Sequence, residues 1–90
     1  MPLTIRQSSQ FRRDVKRLQR QSSDLSKLMA VVTALVAGQA LDERHRDHLL
    51  VGNWKGCREC RIQLDWLLVY RIEAGELQLV RTGRHAELFG

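Results

Sequence analysis

Ninety residues, 43% of them hydrophobic, suffice for one compact core and are too few for two, since domains need on the order of 50–200 residues. Residues 1–90 are therefore expected to form one domain. No apolar run reaches the roughly 18 residues that cross a bilayer, and Met1-Pro2-Leu3-Thr4 shows no charged region followed by an apolar signal core, so a soluble, cytoplasmic protein with no membrane partner is expected. The net charge of +5 lies entirely in the first part, where residues 1–37 hold seven Lys/Arg against two acids, while residues 38–90 hold eight of each.

Leu3 and Ile5 alternate with Thr4 and Arg6, the pattern of a short first strand. Ser8 or Ser9 can then cap a helix in which Phe11, Val15 and Leu18 recur at i, i+4 and i+7, with arginines and Lys16 on the remaining faces. Such a cationic amphipathic helix suits a polyanion such as RNA, or an acidic protein, and equally plain solvation. Gln21-Ser22-Ser23-Asp24 is a polar break with a second cap, and Leu25, Leu28, Met29, Val32, Leu35 and Val36 mark another helix, ended by Gly38. The two helices should form a hairpin.

After Gly38 the periodicity changes. Gln39 to Asp47 reads as a loop and His48 to Val51 as a brief strand stopped by Gly52-Asn53. Cys60, Ile62 and Leu64 alternate with Glu59, Arg61 and Gln63. Trp66 to Ile72 is almost continuously apolar, which suits a central strand, and Glu76 to Thr82 alternates again beyond the Ala74-Gly75 turn. Short connections imply an antiparallel meander. The expected fold class is α+β, a helical hairpin on one face of a twisted, mainly antiparallel sheet in the order β-α-α-β-β-β-β.

With Ile62 and Leu64 against the helices, Glu59, Arg61 and Gln63 face the open side of the sheet. Arg81 is placed on that side too, with Leu77 and Leu79 covered there by loops or a partner. His48 and His85 can exchange a proton near neutrality, their reference pKa being about 6.5. Asp65 interrupts an apolar stretch and can orient a histidine, act as a base or cap a bend. Trp66 reads as half core, with an indole edge left to stack on a base, and Phe89 either packs back on the sheet or meets a ligand. His45 and His48 form H-x-x-H, and Cys57 and Cys60 a lone CxxC, yet neither has the further ligands of a zinc site, and thiols three apart in a strand point to opposite faces. No metal or cofactor is expected. An imidazole, a guanidinium and an aromatic ring at one strand exit, here His85, Arg81 and Phe89, can donate a proton, hold a phosphate and stack on a base, three tasks of RNA cleavage.

The segments Asp47-His48-Leu49-Leu50-Val51-Gly52-Asn53-Trp54-Lys55-Gly56, Leu64-Asp65-Trp66-Leu67-Leu68-Val69-Tyr70 and Arg81-Thr82-Gly83-Arg84-His85-Ala86-Glu87-Leu88-Phe89-Gly90 resemble the YafQ branch of the RelE toxin superfamily. The resemblance spans nearly the whole chain. It implies a RelE-like fold and a ribosome-dependent messenger-RNA endonuclease, the toxin of a bacterial type II toxin–antitoxin pair. It further implies neutralisation by a DinJ-like antitoxin, through which alone operator DNA would be met. His48, Asp65, Trp66, His85 and Phe89 match the family's active-site positions, whereas the family pattern carries another histidine where this chain has Arg61.

RNA supplies its own nucleophile. Its 2′-hydroxyl can attack the adjacent phosphate and leave a 2′,3′-cyclic phosphate and a 5′-hydroxyl, provided a base, an acid and a cationic clamp are at hand. The expected roles are His85 as general acid, His48 with Asp65 as base or its orienter, and Arg81, Arg61 and Lys55 as the clamp. Trp66 and Phe89 would hold a base out of its stack, and Arg12, Arg13, Lys16 and Arg17 would dock to the ribosome or the antitoxin. The alternative, to which Arg61 lends weight, is a toxin-fold module without activity that serves as an antitoxin-bound transcriptional corepressor.

Overall fold

The computed structural model describes residues 2–89. Strand β1 (Thr4–Gln7) ends at Ser8, which turns the chain into helix α1 (Ser9–Arg20). The Ser8 hydroxyl accepts the Phe11 N–H at 2.9 Å and donates to the Val80 carbonyl at 2.7 Å, so one side chain both caps the helix and ties it to a distant strand. Asp24 caps α2 (Leu25–Val36) by accepting the Ser26 N–H. Gly38, at φ +73°, supplies the left-handed residue that closes it.

Beyond the hairpin the chain makes a 3₁₀ turn at Glu43–His45, strand β2 (His48–Leu49), a second 3₁₀ turn at Gly52–Trp54, then β3 (Arg58–Gln63), β4 (Trp66–Glu73), β5 (Glu76–Gly83) and a short helix α3 (His85–Phe89). The sheet order is β1-β5-β4-β3-β2. Strands β2 to β5 form the antiparallel meander, while β1 joins β5 in parallel. The fold is thus α+β with the expected element order, plus α3, which five residues of mixed character did not announce. No helix among the described residues is long and apolar enough to cross a membrane.

Both faces of the sheet are covered. Phe11 and Leu18 of α1 and Leu28, Val31, Val32 and Leu35 of α2 pack on Cys60, Ile62, Trp66, Leu68, Tyr70, Leu77 and Leu79. On the opposite face, Leu67, Val69 and Leu88 form a smaller cluster with Leu50, Trp54, Cys57, Val80 and Phe89. This is why β4 is apolar at successive positions rather than alternating. It also places Cys57 and Cys60 in different clusters.

Two expectations about side-chain direction are corrected. Leu77 and Leu79 face the helices, not the open side, and Thr82 faces the helices as well. Strict alternation cannot put residues 79 and 82 on one side. A β-bulge resolves the parity: Tyr70 pairs with Leu79 and Val69 with Arg81, leaving Val80 as the extra residue and Arg81 on the Val69 side. Leu64, expected against the helices, lies in the β3–β4 turn and is 86% exposed, because β3 stops at Gln63 after its own irregularity.

Candidate active site

The face away from the hairpin carries the chemistry. His48 on β2 stands opposite Glu59 on β3, Glu59 opposite Val69 on β4, and Val69 opposite Arg81 on β5. Arg61, Leu67 and Gly83 make the neighbouring row. Cys60 and Leu68, which alternate with these residues, point into the hairpin-side core, so the two rows share the other face. The Gly52–Trp54 turn and α3 fold over it. Buried Leu88 anchors α3 on the second cluster. The Phe89 ring then meets Trp54 edge-on, with centroids 5.4 Å apart, and leans against the exposed His85 imidazole at 5.2 Å.

The histidines have defined partners. His48 Nδ1 lies 2.6 Å from the Arg46 carbonyl. A carbonyl only accepts, so Nδ1 carries the proton and Nε2 is the ring atom left to exchange one. That Nε2 lies 3.5 Å from Glu59 Oε1. The carboxylate beside His48 is therefore Glu59 and not Asp65, which corrects the expected pairing. Asp65 sits in the β3–β4 turn and its Oδ1 accepts the His85 backbone N–H at 3.4 Å, at the start of α3. His45 Nδ1 bonds the Arg61 carbonyl at 2.6 Å and so fastens its loop along the edge of β3. Among the described residues, no three His, Cys, Asp or Glu side chains gather as metal ligands would.

Arg81 is held from behind. Strand β1 stops pairing at Leu79, and α1 covers the β5 edge beyond it. Asp14, whose side chain is wholly buried, receives Arg81 Nε at 2.9 Å and Nη2 at 3.0 Å, the Thr82 N–H at 3.1 Å and Arg17 Nη1 at 2.8 Å. Burial alone would raise the Asp14 pKa; the donors Arg81, Arg17, the Thr82 N–H and Gln10 outweigh it and hold the carboxyl below its ordinary range. Sequence reasoning did not single out Asp14. The available signal was its spacing, three residues after Phe11 and four before Leu18, which puts an acid on the buried stripe.

Two further site residues fall elsewhere than expected. Trp66 is only 5% exposed and packs under the hairpin, where its indole N–H donates to Thr82 Oγ1 at 2.9 Å, so it has no edge to offer a base. The exposed aromatic surface belongs to Trp54 and Phe89, and Trp54 went unweighed in the sequence except as part of a motif. Arg17 turns inward to Asp14, to the Thr82 carbonyl at 3.0 Å and to Glu87, because it lies three residues past Asp14 on the side facing β5. Arg12, Arg13 and Lys16 are exposed on α1, as is Lys55 beside the Gly52–Trp54 turn. Arg61 is half-buried on the strand.

A protein-family model described as the bacterial toxin of a type II toxin–antitoxin system, YafQ, matches residues 3–90. The chain belongs to the YafQ toxin family. It is 39% identical over 87 residues to the mRNA interferase toxin YafQ of Escherichia coli K12, covering 96% of this chain and 95% of that one. The crystal structure of YafQ from E. coli BL21(DE3) superposes with a TM-score of 0.93 at 37% identity, over 98% of this chain and 99% of that one. YafQ in the E. coli DinJ–YafQ toxin–antitoxin complex superposes at 0.92, again at 37% identity and over the whole of both chains. The hairpin on a mixed five-stranded sheet is therefore the YafQ architecture, RelE-like as the motifs implied.

Proposed function

We propose that this chain is an endoribonuclease, an mRNA interferase toxin neutralised by a DinJ-like antitoxin, and that it meets operator DNA only through that antitoxin. The reading rests on family membership and on one arrangement above all: His85, exposed and stacked on Phe89, rises from the same sheet face that carries His48, Arg61 and Arg81. His85 acts as the general acid that protonates the leaving 5′-oxygen. His48 Nε2, oriented through the Nδ1 bond to Arg46 and flanked by Glu59, takes the 2′-hydroxyl proton. Asp65 keeps a supporting part, holding the backbone of His85. Arg61 and Lys55 clamp the phosphate, and Arg81, with two nitrogens committed to Asp14, is a donor fixed in advance at the strand exit.

Phe89 and Trp54, in place of Trp66, form the stacking surface for a base. Aromatic stacking on single-stranded RNA is worth about 1–3 kcal/mol per base. Phe89→Ala is accordingly expected to weaken substrate binding by about that amount, read as a rise in KM. An unchanged KM would take the ring out of the binding surface.

We place ribosome docking on the exposed Arg12, Arg13 and Lys16 of α1, which the antitoxin shares in the resting complex. The neutral half that holds the site attracts RNA weakly, so a partner surface must supply the rest. The test is primer extension on messenger RNA with and without programmed ribosomes. In-frame cuts should need ribosomes, and reversing the charge at Arg12, Arg13 and Lys16 should suppress them while folding persists. Equal cutting of free RNA contradicts ribosome dependence, and full cutting by the reversed variant contradicts the docking face. No cutting at all, with operator repression intact, leaves the corepressor module.

A further inference from the structure

Helix α3 spans only His85–Phe89, far below the roughly 12–15 residues at which a helix sustains itself, so its position over the site is decided by its tethers. Leu88 supplies an apolar one. The others converge on Glu87. Its Oε1 accepts the Arg84 N–H at 2.8 Å, closing the first turn, and its Oε2 lies 2.9 Å from Arg17 Nε and 3.4 Å from Gln21 Nε2. The Arg17 contact is an ion pair by distance without the alignment of a hydrogen bond. The same guanidinium reaches Asp14 through Nη1 and the Thr82 carbonyl through Nη2. One side chain of α1 thus touches the buried carboxylate behind Arg81, the exit of β5 and the middle of α3. It passes where a Cβ on Gly83 would stand, and Glu87 Oε1 would lie 3.0 Å from that same Cβ.

Glu87 sits two residues from His85 and two from Phe89, so whatever holds Glu87 sets both rings. We propose that Arg17 and Glu87, closing over Gly83, are positioning residues that set the placement of His85 and Phe89 over the substrate without touching it. The proposal rests on the endoribonuclease reading for its kinetic consequence and on geometry alone for its structural one. Misplacing a reacting group by about 1 Å costs on the order of 10²-fold in rate, whereas substrate affinity, set by Phe89, Trp54 and the clamp, should change little.

The experiment compares Arg17→Met, Glu87→Gln, their double variant and Gly83→Ala, each first shown to bind antitoxin and melt cooperatively. Glutamine keeps the oxygen that caps Arg84 and removes only the charge. On programmed ribosomes, each single variant should lose about tenfold or more in kcat with KM within about twofold, and the double should be no worse than the poorer single, since both break one contact. Gly83→Ala, which displaces the Arg17 tip and leaves both charges in place, should match them. A readout independent of activity is the His85 ring signal in a carbon-edited NMR spectrum, displaced by the Phe89 ring current in the intact protein and expected to move toward that of a free histidine in each variant. Wild-type kcat in the singles, additive losses in the double, a loss carried by KM, or an unmoved His85 signal overturns the proposal. A wild-type protein that cuts nothing overturns the nuclease reading instead, and the NMR comparison still decides the positioning.

Discussion

Replacing His85 by alanine is expected to lower the cleavage rate constant by about 10²–10⁴-fold, the contribution typical of a positioned general acid, while leaving the fold intact. The imidazole is exposed and its ring meets only Phe89, and the backbone N–H that bonds Asp65 survives the change. Alanine is also the better helix former. Structure and catalysis therefore separate cleanly at this position. Single-turnover cleavage on programmed ribosomes, with the thermal midpoint measured alongside, checks both halves. An acid must hold its proton to act, so the fall in rate toward high pH should be present in the intact protein and missing from what activity the variant retains. Normal turnover by His85→Ala would remove the acid from the scheme.

Asp14→Ala should be the most destabilising single polar substitution, by about 3 kcal/mol. The figure is at the lower end for breaking a buried ion pair, because Arg81 and Arg17 keep side-chain exposures of 21% and 25% and recover some hydration. What is lost is an acceptor for two guanidinium groups and for the Thr82 N–H at once. Urea denaturation near neutral pH reads the effect directly, and a midpoint equal to wild type would show that the network contributes nothing net. The pH dependence has a definite sign. The Asp14 carboxyl titrates lower folded than unfolded, so its contribution is complete above the ordinary carboxylate value of about 3.9 and disappears as pH falls through the lower folded value. Acid should therefore erode the stability of the intact protein more steeply than that of the variant, and the two curves should converge at the acid end. Because Asp14 also fixes Arg81, cleavage by any folded fraction of the variant should be impaired as well.

What could be read from order alone was whatever a few neighbouring residues decide. Ser8 and Asp24 as caps, Gly38 as a stop, the stripes Phe11–Leu18 and Leu28–Leu35, and the unbroken apolar run of β4 each follow from spacing within about four positions. So do the opposed directions of Cys57 and Cys60 and the sharing of one face by Glu59 and Arg61. The motifs around His48, Asp65 and His85 were legible for the same reason, being short and contiguous.

The assignments that changed were those where a side chain chooses between partners far apart in the chain. Arg17 and Arg12 look alike on the helix, but only Arg17 faces a strand edge 65 positions away. Trp66 and Trp54 are both indoles near glycine or aspartate, and it is the Thr82 hydroxyl that draws Trp66 into the core and leaves Trp54 to meet Phe89. Asp65 seemed a fit companion for His48 until strand pairing put Glu59 there. The sequence by itself determined the helices, the central strand and the set of chemical groups available. Tertiary structure decided which of them meet, because the bulge at Val80, the parallel docking of β1 and the burial of Asp14 are set by the packing of whole elements, which no local spacing records.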